Sequence, residues 1–222
     1  MMTSRRLILI RHGVVDFASR EFRDTPLGRQ WDPPLSQTGQ EQARLLAADL
    51  AELDRPNALV CSPFLRCVET VAPFVEISGI EPVFDEDLGE VFVGDWEGES
   101  FEQILDSDEE VARRFREREP IWMFAPNGER GAALRTRVVR AVERALEANP
   151  DGDVFVFAHG GVINAYLIHL LGITDQDMFF LPENTSLNIV RVDGDSRSLR
   201  FINDVRHLVV GRGSREDEPE TD

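Results

Sequence analysis

Two stretches of this chain follow one pattern: an apolar run that reads as a buried strand, then a histidine, then glycine. Leu7-Ile8-Leu9-Ile10 leads into Arg11-His12-Gly13, and Val154-Phe155-Val156-Phe157-Ala158 leads into His159-Gly160-Gly161. A third run, Ala58-Leu59-Val60-Cys61, stops at Ser62-Pro63 with Arg66 close behind. In open α/β sheets, ligands bind at the edge where parallel strands end. Side by side, the three runs would bring two histidines and two arginines to that edge.

The segments between these runs carry helical signals. Thr38-Gly39-Gln40-Glu41 has the spacing of a capping box, and Ala43, Leu46, Ala47, Leu50 and Leu53 follow at helical period. Residues 66–75 read as a helix with Arg66 in its first turn. Leu134, Val138, Val142 and Leu146 mark an amphipathic helix that stops near the breaker cluster Asn149-Pro150-Asp151-Gly152, and residues 162–171 read as the helix after the strand at 154–158. The charge-rich stretch 101–119, anchored by Leu105, Val111 and Phe115, reads as a peripheral helical cap. Residues 187–192 and 199–202, joined by Asp193-Gly194-Asp195, read as a closing hairpin. This order predicts an α/β fold, three-layer α/β/α with a mostly parallel central sheet and a small helical cap. A single domain is expected over residues 1–210, followed by an acidic tail, 211–222, of disordered composition.

With 222 residues, 42% of them hydrophobic, one core is large enough to stabilise the chain. All 24 basic residues are arginine, against 41 Asp and Glu, for a formal net charge of −17 at pH 7. That surface argues against nucleic acid and anionic membranes as partners, since both require a positive footprint. The acidic surplus serves solubility or adaptation to high salt, where dense carboxylates keep a folded protein hydrated. No apolar run approaches the roughly 20 residues of a membrane helix, and the first is shorter than the roughly 7 to 15 of a signal peptide. A soluble, cytoplasmic protein is expected. Cys61 and Cys67 are too few for a disulfide framework or a zinc cluster and read as buried free thiols.

Attack on a phosphate monoester requires a nucleophile, cations to offset charge on the oxygens, and an acid for the departing alkoxide. A neutral imidazole such as His12 supplies the first, provided its second nitrogen donates to a fixed acceptor. Arg11 and Arg66 offer forked donors for phosphoryl oxygens, a geometry lysine cannot reproduce. His159 would donate to the same oxygens, and Gly13 and Gly160 would let backbone N–H groups approach them. A metal pair is disfavoured, because arginines beside the histidines repel a divalent cation while attracting phosphate. No metal or other cofactor is therefore expected. His169 and His207 fall in no motif and carry no assigned role.

Taken together, these motifs resemble the histidine phosphatase superfamily, the phosphoglycerate-mutase-like enzymes. The resemblance runs from about Leu7 to about Asn188. It rests on Arg11-His12-Gly13, Pro34-Leu35-Ser36-Gln37-Thr38-Gly39 with Gln42-Ala43, and Ser62-Pro63 with Arg66 and Thr70. It continues through Glu90 with Gly94-Asp95-Trp96-Glu97-Gly98, Pro126-Asn127-Gly128-Glu129 and His159-Gly160-Gly161. The resemblance implies a phosphate pocket of Arg11, His12, Arg66 and His159, with His12 forming a phosphohistidine. It implies Glu90 as general acid, sheltered by Phe92 and Trp96, with Asp95 and Glu97 as supporting carboxylates. Glu129 lies near the site in the family pattern or caps the following helix. Where many members have Thr or Ser and then Asn after the nucleophile, this chain has Val14-Val15-Asp16-Phe17, so a phosphate donor is missing or comes from elsewhere. The segment from Phe17 to Pro34 reads as a long loop. Its Arg20, Arg23, Arg29 and Trp31 either read further parts of the substrate or are solvated.

Family mutases carry a long basic insertion after the Gly-x-x-x-Gly turn, whereas the corresponding segment here is short, acidic and arginine-bearing. A metal-independent phosphomonoesterase acting on a small phosphorylated metabolite is the function implied. A cofactor-dependent phosphoglycerate mutase and a noncatalytic phospho-ligand sensor are the alternatives, and a homodimer is compatible with either enzyme.

Overall fold

The computed structural model describes residues 4–117 and 121–210. The expected acidic tail, 211–222, lies outside the described residues, as do residues 118–120 of the expected cap. In chain order the strands are β1 (Arg5–Arg11), β2 (Phe22–Thr25), β3 (Gly28–Trp31), β4 (Ala58–Cys61), β5 (Val83–Phe84), β6 (Val154–Ala158), β7 (Leu187–Asp193) and β8 (Ser196–Asp204). The helices are α1 (Gln37–Ala51), α2 (Leu65–Ser78), α3 (Phe101–Ser107), α4 (Glu109–Arg116), α5 (Gly131–Ala148), α6 (Gly160–Leu171) and α7 (Arg206–Val210).

Six strands form one sheet in the order β5-β4-β6-β1-β7-β8. β5, β4, β6 and β1 run parallel, and β7 and β8 close the sheet as an antiparallel hairpin. The centre of β1, Leu7-Ile8-Leu9-Ile10, and all of β6 are apolar because each is covered on both faces. Leu7 and Leu9 pack with Val154 and Val156 against α5 and α6. Ile8 and Ile10 pack with Phe155 and Phe157 against α1 and α2. Each such burial stabilises the fold by about 1.5–3 kcal/mol, so the alternation fixes the three-layer α/β/α arrangement. Among the described residues, no helix is long and apolar enough to cross a membrane.

The β1–β6 register positions the site. Arg11 pairs with Ala158, so His12 and His159 each stand one residue past a paired strand end, side by side. Cys61 pairs with Phe157, which ends β4 at the same level and sends the chain through Ser62-Pro63 into α2 and Arg66.

Three elements differ from the sequence reading. The cap of α1 is Ser36, whose Oγ accepts from Gly39 N at 3.1 Å, rather than Thr38. Gly39 lies against the backbone of Val14, where any Cβ would collide with the Val14 carbonyl, and this close approach fixes the start of the helix. The 17–34 segment is not a structureless loop but contains the β2–β3 hairpin. The cap is two helices: Ser100 and Gln103 form a capping box on α3, and Asp108 caps α4. Trp96 is buried in the cap's own core with Ile104, Val111, Ile121 and Ala125.

Candidate active site

His12 is buried, and its backbone N–H donates to Ala158 O at 3.0 Å. Its Nδ1 lies 2.8 Å from Gly13 O, and because a carbonyl can only accept, Nδ1 carries the proton and Nε2 keeps its lone pair. Burial, then the charges of Arg66 and Arg11, hold the ring well below the ordinary histidine value. The imidazole is therefore neutral at pH 7, with one nitrogen available for attack.

His159 touches His12 edge-on, with centroids 5.2 Å apart, and is fully buried. Arg66 Nε donates to its Nδ1 at 3.2 Å, so Nε2 carries the proton and donates to Ser62 Oγ at 2.8 Å. Both nitrogens are engaged within the protein. The sequence reading had His159 donating directly to phosphoryl oxygens. In this structure it accepts from Arg66, donates to Ser62 and packs on His12. Burial and the neighbouring Arg66 keep it well below its ordinary value.

Arg66 lies over the Phe64 ring at 4.7 Å, donates to Trp31 O at 3.2 Å and stands 3.5 Å from Asp32 Oδ1. Burial pushes the Asp32 carboxyl up, opposed by Arg66 and by the Leu65 N–H that it accepts. Arg11 donates through Nη1 to Pro182 O, while its Nε is buried without a protein partner. Burial lowers the Arg11 value, opposed by Glu90 and Glu183.

Arg11, His12 and Arg66 line a cavity of about 320 Å³, together with Glu90, Gly160 and Gly161. Gly160 opens α6, so the helix N-terminus faces the cavity with its positive dipole end. The Glu90 carboxylate accepts from Val91 N at 2.9 Å and from Gly161 N at 3.3 Å. A Cβ at position 161 would press on Glu90 Oε1, so any side chain there would displace this carboxylate. Gly13 does not reach the cavity. Its N–H donates to Thr70 Oγ1 at 3.0 Å, and its lack of a side chain admits the Gly39 backbone.

The shelter around Glu90 comes from residues other than those the sequence suggested. Phe92 packs on Gly28 and Trp96 sits in the cap core, while Val91, Val93, Trp31 and Trp122 line the cavity. Glu97 lines it too, but its two oxygens accept from Trp31 N at 2.8 Å and Val93 N at 3.0 Å, and burial pushes its carboxyl up. Asp95 accepts from Asn127 in an exposed turn.

Sequence reasoning missed three groups. Arg137 forks onto the buried Glu129 at 2.7 and 2.8 Å and donates to the carbonyls of Asp87, Gly89 and Glu90. Glu129 thus anchors the Glu90 segment instead of capping α5. The signal was an arginine beside the apolar stripe of Leu134 and Val138. Gln30 donates to Glu90 O at 3.3 Å from the unrecognised hairpin. Asn184 lines the cavity and donates to His12 O at 2.9 Å, which brings a carboxamide to the site where Val14–Phe17 supplies none. It lies 172 residues from His12 in an irregular segment, so no local pattern marks it. His207, in α7, bonds Thr185 away from the cavity, and His169 lies in the last turn of α6.

A buried neutral imidazole between two guanidiniums, at the carboxyl edge of a parallel sheet, defines a site for phosphoryl transfer through histidine. The chain belongs to the histidine phosphatase superfamily (branch 1), whose family model matches residues 7–205. It is 33% identical over 181 residues to the glucosyl-3-phosphoglycerate phosphatase of Mycobacterium tuberculosis, covering 77% of each chain. It is 28% identical to phosphoserine phosphatase 1 of Hydrogenobacter thermophilus, covering 91% of this chain and 94% of the relative. The solved structure of Bacillus stearothermophilus YhfR superposes with a TM-score of 0.78 at 26% identity, over 92% of this chain and 99% of that one.

Proposed function

We propose that this chain is a metal-independent phosphomonoesterase of the acid-acting type that hydrolyses a small phosphorylated metabolite through a phosphohistidine. His12 Nε2 attacks phosphorus, forming an N–P bond as the ester P–O bond breaks. Glu90 gives a proton to the departing alkoxide. Water then attacks the phosphohistidine, Glu90 takes its proton, and phosphate leaves with His12 restored. Arg11, through its unpartnered Nε, Arg66 and the Gly160 end of α6 offset charge on the transferring oxygens. His159 acts as a positioning residue for Arg66.

The observation that carries this reading is the His12 tautomer, fixed by Gly13 O with Nε2 free between two cations. Because the ring is held well below its ordinary value, the nucleophile stays neutral in mild acid. The two free thiols, Cys61 and Cys67, suit a reducing, cytoplasmic location. A mutase must also hold a second phosphate. The described cap segment disfavours one, because what it contributes to the cavity wall is apolar, Trp122 and Met123. Turnover of a phosphate monoester should survive exhaustive chelation and be inhibited competitively by vanadate. Loss of activity in chelator, restored by a divalent metal, would contradict the assignment.

A further inference from the structure

The cavity changes character away from His12. Past the phosphate end, its wall is Val91, Val93, Trp122 and Met123, and its rim carries Phe17 and Leu181, which are 73% and 68% exposed. Phe17 and Trp31 stand as a tilted ring pair with centroids 6.1 Å apart. Large apolar side chains held open to solvent around a concavity mark a surface that a ligand covers.

Charge in the cavity has the opposite distribution. Among the described residues, its lining cations are Arg11 and Arg66, both at the phosphate end, and its other charged groups are the carboxylates Glu90 and Glu97. The three arginines of the 17–34 segment do not line it. Arg23 reaches Pro63 O and Glu86, Arg29 lies on the Phe22 ring at 4.9 Å, and Arg20 donates to Ser19 O at 3.3 Å. A carboxylate or second phosphate on the leaving group would enter between apolar walls, beside two carboxylates, with no counter-charge among the described residues at that end. Desolvating it there is unfavourable, whereas burying an apolar group is favourable.

We infer that the leaving group this enzyme accepts is an uncharged apolar alcohol, aromatic or branched, held by Phe17, Trp31, Trp122 and Leu181. This rests on the phosphomonoesterase reading and narrows it to a substrate class distinct from phosphorylated hydroxy acids and amino acids.

The test compares kcat/KM for 2-phenylethyl phosphate with that for 3-phosphoglycerate and phosphoserine. All three release a primary alkoxide, so the ratios report recognition of the leaving group. The phenylethyl ester should be favoured by about 10²-fold over each, the scale on which a pocket discriminates by apolar contact. Phe17→Ser and Leu181→Ser alter exposed rim positions that the core does not need, and each should lower that ratio about tenfold. Leu181→Arg should shift it further toward 3-phosphoglycerate by adding a cation at the rim. Equal or greater activity on either charged ester, or a ratio that none of the three variants moves, would overturn the inference while leaving a phosphatase. Failure to hydrolyse any of the three, with no phosphoenzyme formed, would overturn the phosphomonoesterase reading and this inference with it.

Discussion

At the phosphate end of the cavity, Arg11, His12 and His159 stand where paired strands stop, and the β1–β6 register sets their spacing. At the leaving-group end, Phe17 precedes the β2–β3 hairpin, Trp122 belongs to the cap and Leu181 to the segment before β7. The first region is buried, polar and cross-linked by hydrogen bonds from Arg66 to His159 and from His159 to Ser62. The second is apolar and partly open. A sheet edge holds reacting groups rigidly because moving one strand end would break pairing on both sides, whereas irregular walls change shape and size without disturbing it. Chemistry and specificity are therefore carried by separable parts of the fold.

Glu90 sits at the junction, and its loss should have the largest effect that distinguishes the two ends. Glu90→Gln should slow hydrolysis of an alkyl phosphate by roughly 10² to 10⁴-fold, the usual worth of general acid catalysis. It should spare most activity on nitrophenyl phosphate, whose phenolate leaves without help. Equal losses on both esters would mean that Glu90 serves binding or folding, and Glu97→Gln would then be the variant to assay.

Arg137 tests whether the Glu90 segment must be anchored. Arg137→Met removes the hold on three carbonyls and leaves Glu129 buried without its partner, a change that costs about 3–5 kcal/mol for pairs of this kind. Glu129→Gln with Arg137→Met should recover most of that stability, read by urea unfolding. The double variant should still show a shifted pH profile on the alkyl ester. If stability returns and the profile matches the parent, Arg137 is structural only.

The smallest expected effect is a pH dependence of stability. His12 and His159 are both held well below the ordinary value of 6.5, so below that pH the unfolded chain binds protons that the native state refuses. Stability should therefore fall as pH drops beneath 6.5, by about 1.4 kcal/mol per unit for each ring, until the folded-state values are reached. His159→Gln should roughly halve the part of the slope these two rings supply. An unchanged slope would mean that His159 is not buried as a neutral ring.

The contrast between the two ends also explains what could be read from the sequence. Apolar runs ending on His12, His159 and Ser62 are local signals, and parallel pairing converts them into a shared edge, so the three-layer fold and the juxtaposed histidines were legible. The free nitrogen of His12 needed only Gly13, its neighbour. His159's engagement of Arg66 and Ser62 could not be read, because it depends on how α2 packs against the end of β6. Asn184 and Gln30 reach the site from an irregular segment and from a hairpin whose polar Arg-Asp-Thr and Gly-Arg-Gln sequences carry no strand periodicity. Thr38 has the spacing of a cap but Ser36 is the cap, because capping spacing is local whereas Gly39's fit against Val14 is tertiary.

The central claim is that His12 presents Nε2, and not Nδ1, to phosphorus. Rapid acid-free quenching of the enzyme with labelled monoester, followed by phosphorus NMR and peptide mapping, reads both the residue and the nitrogen. The account predicts an acid-labile phosphoramidate on His12 Nε2 that is absent from His12→Ala. Phosphate on His12 Nδ1, on another residue, or trapped equally by His12→Ala would contradict it.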